Sequence, residues 1–161
     1  MRTITVTQPS LVNPSLRLVE DGAPEGVITF HGLLSRSAEL SLGADQLTLT
    51  TSGLLGRTLR AVTATGSIAG EYRQSGLIGR RGDAEVGGRR YRLEVGGVLS
   101  RRLCWEDVDG SPVMSLHLGG LLRTSGTIEV SAKAVPGDVA VLIGLGLMVH
   151  HAEDRDASAA T

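Results

Sequence analysis

Short stretches of the chain alternate apolar and polar residues with a period of two. Leu40 and Leu42 interleave with Glu39 and Ser41, and Leu47 and Leu49 with Thr48 and Thr50. Tyr91, Leu93 and Val95 interleave with Arg90, Arg92 and Glu94, and Ile128, Val130 and Ala132 with Glu129, Ser131 and Lys133. Side chains on a strand point alternately to its two faces, so this pattern predicts antiparallel strands with one buried face. Turn-forming residues separate the stretches: Asp21-Gly22-Ala23-Pro24, Gly43-Ala44-Asp45, Thr65-Gly66, Gly87-Gly88 and Asp109-Gly110-Ser111-Pro112. The reading is a strand near residues 2–7, hairpins at about 16–30, 37–51, 58–73, 81–95 and 102–118, and a last strand near 124–134, about twelve strands in all.

A second pattern lies over the first. Five short phrases share one form: His31-Gly32-Leu33-Leu34-Ser35-Arg36, Ser52-Gly53-Leu54-Leu55-Gly56-Arg57, Ser75-Gly76-Leu77-Ile78-Gly79-Arg80, Gly96-Gly97-Val98-Leu99-Ser100-Arg101 and Gly119-Gly120-Leu121-Leu122-Arg123. The pivotal glycines, Gly32, Gly53, Gly76, Gly97 and Gly120, are spaced by 21, 23, 21 and 23 residues. Each repeat unit is a hairpin followed by a glycine, two aliphatics and an arginine.

After residue 134 the pattern changes. Pro136 and Asp138 are placed as helix-start signals, and Val139 to Val149 is apolar on every face. A helix apolar all round is buried all round. Eight strands close into a barrel that their own side chains fill, whereas about twelve leave a wider interior. The two readings therefore complement each other: a closed, mainly β, antiparallel barrel wraps a buried C-terminal helix at about 137–151, with Gly144 and Gly146 letting the wall approach. The alternative is a sandwich lidded by the helix, but a lid should carry a polar face. Residues 1–151 are read as one domain and 152–161 as a disordered polar tail.

Composition sharpens this picture. One domain accounts for 161 residues and 16.8 kDa. Aromatics are only 2%, which argues against stacking platforms for nucleic acid or sugars, and a net charge of −1 supplies no bulk attraction to polyanions. Cys104 is the lone cysteine, so neither an intrachain disulfide nor a multi-cysteine metal site is expected. The first residues lack a secretory signal, and the 11-residue apolar stretch is too short to span a bilayer, which points to a cytoplasmic protein with no transmembrane span. Lys133 is the only lysine among 16 basic residues, an arginine bias resembling that of GC-rich bacteria.

The layout of twelve antiparallel strands followed by an apolar helix resembles the tubby-like superfamily, which includes phospholipid scramblases and LURP-one-related proteins. The segment from Trp105-Glu106-Asp107-Val108-Asp109-Gly110-Ser111-Pro112-Val113 through Thr127-Ile128-Glu129-Val130 to the helix is similar to the last third of small bacterial LURP-one-like proteins. A scramblase-like cysteine cluster, a proline-rich N-terminal extension and a tubby phosphoinositide-pocket motif are absent from this sequence. The resemblance implies a fold rather than an activity.

The strongest candidate chemistry is the repeated arginine. In an up-and-down barrel the phrases share one end, so Arg36, Arg57, Arg80, Arg101 and Arg123 would form a cationic rim, extended by Arg81 and Arg102. Guanidinium forks suit phosphate oxygens, and neighbouring aliphatic pairs suit a lipid surface. The plainer reading is that these arginines pair with some of the 17 carboxylates while the aliphatic pairs turn inward. Asp107-Val108-Asp109-Gly110 reads as a hairpin turn, because calcium-loop spacing and its terminal Glu are missing. His150 and His151 diverge by about 100° on a helix, so they read as cations at its C-terminal end rather than as metal ligands. His31 and His117 read as surface or satisfied histidines, and Cys104 as a small buried hydrophobe. No nucleophile elbow, metal-ligand helix or phosphate loop is present.

The expectation is a non-enzymatic binding or scaffold module without cofactor or metal. Its candidate partner is an anionic membrane surface or another phosphate-bearing ligand at the rim, and nucleic acid is not expected. The alternative is a structural or oligomerisation module that binds protein without a small ligand.

Overall fold

The computed structural model describes residues 1–10, 14–21, 23–31, 36–52, 58–75, 81–96, 102–119 and 124–159. Twelve strands run in chain order: β1 (Arg2–Thr7), β2 (Ser15–Glu20), β3 (Ala23–His31), β4 (Ser37–Leu42), β5 (Asp45–Ser52) and β6 (Thr58–Thr63), then β7 (Ile68–Gln74), β8 (Gly82–Val86), β9 (Arg89–Gly96), β10 (Arg102–Glu106), β11 (Pro112–Gly119) and β12 (Ser125–Val130). Every strand pairs antiparallel with its chain neighbours, and β1 pairs with β12, from Arg2↔Val130 to Thr7↔Ser125, to close the barrel. The sandwich alternative is thereby excluded.

The period of two decides which face goes in. Ile4, Val6, Leu18, Ile28, Leu49, Leu93 and Leu116 are fully or almost fully buried, while their neighbours Thr3, Thr5, Arg17, Thr48 and Arg92 are exposed. The apolar face lines the interior and charged residues stud the outer wall, the reverse of an outer-membrane barrel with its apolar outer band. No helix among the described residues is long and apolar enough to cross a membrane. Tight turns join strands where left-handed backbone is supplied, as at Gly87 and Gly88, with φ of 58° and 79°. Strand β12 stops at Val130, short of the expected 134. Beyond it Ser131 Oγ accepts from the Lys133 amide at 3.1 Å, and Ser131 O accepts from the Ala134 amide at 3.0 Å, turning the chain toward the axis.

A 3-10 turn, Pro136–Asp138, leads into α1 (Val139–Ala159), which threads the barrel. Leu142, Ile143, Leu145 and Leu147 are at most 1% exposed. Wide as it is, the barrel has no room beside the two axial glycines: a Cβ on Gly144 would sit 3.0 Å from Leu49, and one on Gly146 2.9 Å from Leu116. Trp105 Nε1 donates to Leu142 O at 3.0 Å, and the Trp105 ring meets Tyr72 edge-on at 5.9 Å.

Asp138 does not cap the helix. Its carboxylate is buried and receives two bonds from Arg89, at 2.6 and 2.8 Å, and one from the Tyr91 hydroxyl at 2.5 Å. The clamp ties the start of α1 to β9 at the tight-turn end. Burial by itself would push the Asp138 carboxyl up, but the bonds from Arg89 and Tyr91 hold it below the ordinary 3.8. A carboxyl depressed in the folded state is stabilising above its unfolded value, and the benefit fades as pH falls through the folded value. The urea midpoint should therefore drop between pH 5 and pH 2, with a shallower drop in Asp138→Asn. An unchanged slope in that variant would rule out the clamp as the source. Burial first, then Asp138, pushes the Tyr91 phenol up to about 12, so its contribution is full below pH 10 and is lost as pH rises from there toward 12.

The helix begins at Val139 rather than 137 and continues to Ala159, through most of the stretch expected to be a disordered tail. Alanine, glutamate and arginine favour helix, no proline or glycine interrupts, and thirteen preceding residues already carry the nucleus.

Candidate functional site

Because neighbouring strands alternate in direction, connections fall alternately at the two barrel ends. Strands β1, β3, β5, β7, β9 and β11 finish at the same end, and the six connections that follow them are residues 8–14, 32–36, 53–57, 75–81, 97–101 and 120–124. The last five carry the repeated phrases. They contain Arg36, Arg57, Arg80, Arg81, Arg101 and Arg123, and the six connections together contain no Asp or Glu. The five tight turns at the other end contain Asp21, Asp107 and Asp109 and no basic residue.

Of the five rim candidates, Arg36 lies among the described residues; Arg57, Arg80, Arg101 and Arg123 lie outside them. Arg36 is exposed, its carbonyl accepts from the Thr51 amide at 2.9 Å, and its guanidinium makes no ion pair with a described residue. The added candidates behave differently. Arg81 pairs with Glu94 at 3.2 Å, as the plainer reading expects, and Arg102 reaches Ser115 Oγ at 3.2 Å.

Other described groups organise this end. Gln8 joins the first and last connections, donating to Ser10 O at 3.1 Å and accepting from the Thr124 amide at 3.0 Å. His151 stacks on Phe30 with ring centroids 3.8 Å apart, and His150 is 2% exposed. The histidine pair therefore closes the mouth of the barrel. It does not complement the helix C-terminus, which lies eight residues further on. The sequence reading also missed Leu11-Val12, an aliphatic pair in the connection that lacks the glycine and arginine of the phrase. Its signal was positional: it occupies the one remaining connection at that end.

The remaining candidates resolve into structure. Asp107 Oδ1 accepts from the amides of Asp109 and Ser111, both at 2.9 Å, so this carboxylate builds the turn. His31 lies 3.4 Å from Glu39 and His117 4.0 Å from Glu129, both on the outer wall. Cys104 is free and buried, on the wall's outer face opposite Ser115. Among the described residues no cluster of three potential metal ligands exists. A groove of about 1130 Å³ runs along β7–β9, but Glu71, Arg73, Asp83, Glu85, Arg90 and Arg92 set both charge signs against each other there.

Searches of protein-family models, curated proteins and solved structures found no match to this chain.

Proposed function

We propose that this protein is a non-enzymatic binding or scaffold module of tubby-like layout, and that its ligand is an anionic lipid headgroup or another phosphate-bearing molecule held at the arginine end. One observation carries the reading: the topology brings every Gly-aliphatic-aliphatic-Arg phrase to the same end, in connections free of carboxylates. Arg36, Arg57, Arg80, Arg101 and Arg123 supply planar donors for phosphate oxygens, and the aliphatic pairs supply apolar contact with a lipid surface. The residues of α1 from Val139 to Val149 occupy the barrel interior, so the reading places recognition on an end rather than inside.

The test is retention on phosphatidylcholine vesicles containing phosphatidylinositol 4,5-bisphosphate, with free inositol phosphate as competitor. Binding is expected at low salt and should weaken as salt rises. Each basic residue near an anionic surface contributes about 1 kcal/mol, so Arg57→Ala with Arg101→Ala should weaken it by about 30-fold. Competition by free inositol phosphate would assign the affinity to the phosphates alone, and its failure would assign part of it to the bilayer. Absence of retention at low salt overturns the proposal, and salt-resistant co-purification with a protein would favour the interaction-module alternative.

A further inference from the structure

The ring of strands has its shortest ladder between β1 and β2. Among the described residues these two pair at Thr5↔Val19, Val6↔Leu18 and Thr7↔Arg17, whereas β1 pairs with β12 along its whole length. Arg2, Thr3 and Ile4 therefore have no ladder partner on β2, and the gap lies at the tight-turn end. The β2–β3 hairpin aims a side chain toward it. Gly26 pairs with Leu18 and Pro24 with Val19, so Glu25 between them is the extra residue of a β-bulge, a feature that re-aims the side chain it carries. Gly26 lets the bulged strand lie close to β4, since a Cβ there would sit 2.3 Å from Ser41 O.

Side chains bridge the gap that the backbone leaves. Arg2 donates twice to Glu20, at 3.0 Å each, and once to Glu25 Oε1 at 3.1 Å. Its Nη2 serves both glutamates, so two carboxylates converge on one guanidinium. Glu25 Oε2 is buried and has no hydrogen-bond partner among the described residues. The other charged group facing Glu25 is Asp21, also negative, while β4 on its far side brings only Leu42 and Gly43. The bonds from Arg2 hold the Glu20 carboxyl below the ordinary 4.5, whereas burial, and then Glu20, push that of Glu25 above it.

We infer that Arg2, Glu20 and Glu25 form a proton-operated latch across the gap between β1 and β2, closed most firmly when the two carboxylates hold one proton between them. With both ionised, one guanidinium faces two negative groups, and a buried oxygen lacks a donor. A proton on Glu25 removes the repulsion and leaves Glu20 bound to Arg2 through both oxygens. A second proton, on Glu20, removes the charge that holds Arg2. Glu25, raised in the folded state, stabilises fully below pH 4.5 and loses that effect as pH rises through its folded value. Glu20, depressed, stabilises above pH 4.5 and loses its effect as pH falls through its folded value. The two ranges meet near pH 4.5, so the gap is held more tightly there than at pH 7.

The experiment is amide hydrogen exchange at pH 4.5 and pH 7, corrected for the intrinsic rate, on the full chain and its variants. Local opening of one ladder is read at the residues it frees. In the unmodified chain, residues 2–6 and 17–20 should be about threefold better protected at pH 4.5, the size expected for relief of one like-charge pair. Glu25→Gln should show the higher protection at both pH values, because its neutral amide stands in for the protonated acid. Glu20→Gln should lose protection at both. Carbon-13 titration of the side-chain carboxyls should place Glu25 above 4.5 and Glu20 below it. Protection indifferent to pH in the unmodified chain, a change spread evenly over all twelve strands, or a Glu25 midpoint at or below 4.5 overturns the latch.

Discussion

A chain ending at Pro136 should fail to fold. Removing α1 takes away Val139, Val141, Leu142, Ile143, Leu145, Leu147, Met148 and Val149, all buried against the wall. At about 1.5–3 kcal/mol for each such side chain, their burial contributes roughly 12–24 kcal/mol. The net stability of a whole domain is about 5–15 kcal/mol, so no other contact in the barrel can offset the loss. The wall's own inward leucines and valines would face water or collapse across the empty axis. The expected result is a chain without a cooperative thermal transition, without near-ultraviolet circular dichroism from Trp105, and with exposed apolar surface that binds hydrophobic dyes. A synthetic peptide covering residues 137–159 should restore the transition when added during refolding. A sharp unfolding transition in the truncated chain alone would show that twelve strands support each other without a filler.

The second large effect is at Trp105. It is fully buried, fills the space between β10 and the helix, and donates to Leu142 O. Trp105→Ala should cost about 3–5 kcal/mol, chiefly through the cavity it leaves. For a chain of this length that lowers the melting temperature by about 10–15 °C. Trp105→Phe keeps much of the volume and removes the donor, while Leu142 O retains its helical bond, so the loss should be about 1–2 kcal/mol. Equal losses in the two variants would mean that the hydrogen bond rather than the filled volume holds the helix there.

Much of the wall was legible because each strand states its two faces residue by residue. Leu40 and Leu42 set against Glu39 and Ser41 leave one register in which the core is apolar, and the structure adopts it. The helix was legible because an uncharged stretch apolar on all sides has only one place to go. The end of that helix was not legible. Residues 152–159 are polar, and polarity reads equally as a tail or as helix extended from a buried nucleus. The clamp escaped for a different reason. Asp138 and Arg89 are 49 residues apart, and nothing local distinguishes a carboxylate that starts a helix from one that locks it to a distant strand. At the candidate site, which connections share an end follows from counting strands. Which arginines find carboxylates depends on cross-strand geometry, as Arg81 with Glu94 shows.

The β1–β12 seam sets the order in which this molecule can be made. Its partners, such as Thr3 and Glu129, are separated by most of the chain, so the ring cannot shut until nearly all of it has been synthesised. The filler comes later still, since α1 follows β12 in the chain. Until then the nascent wall is an open sheet with two bare edges and an uncovered apolar face, the features that invite pairing with another chain. Each molecule therefore passes through a stage, lasting seconds at ordinary translation rates of about 5–20 residues per second, in which its own C-terminal helix is the missing component. Helix arrival and ring closure become one event, and any delay in synthesising α1 prolongs the exposure of the strands before it.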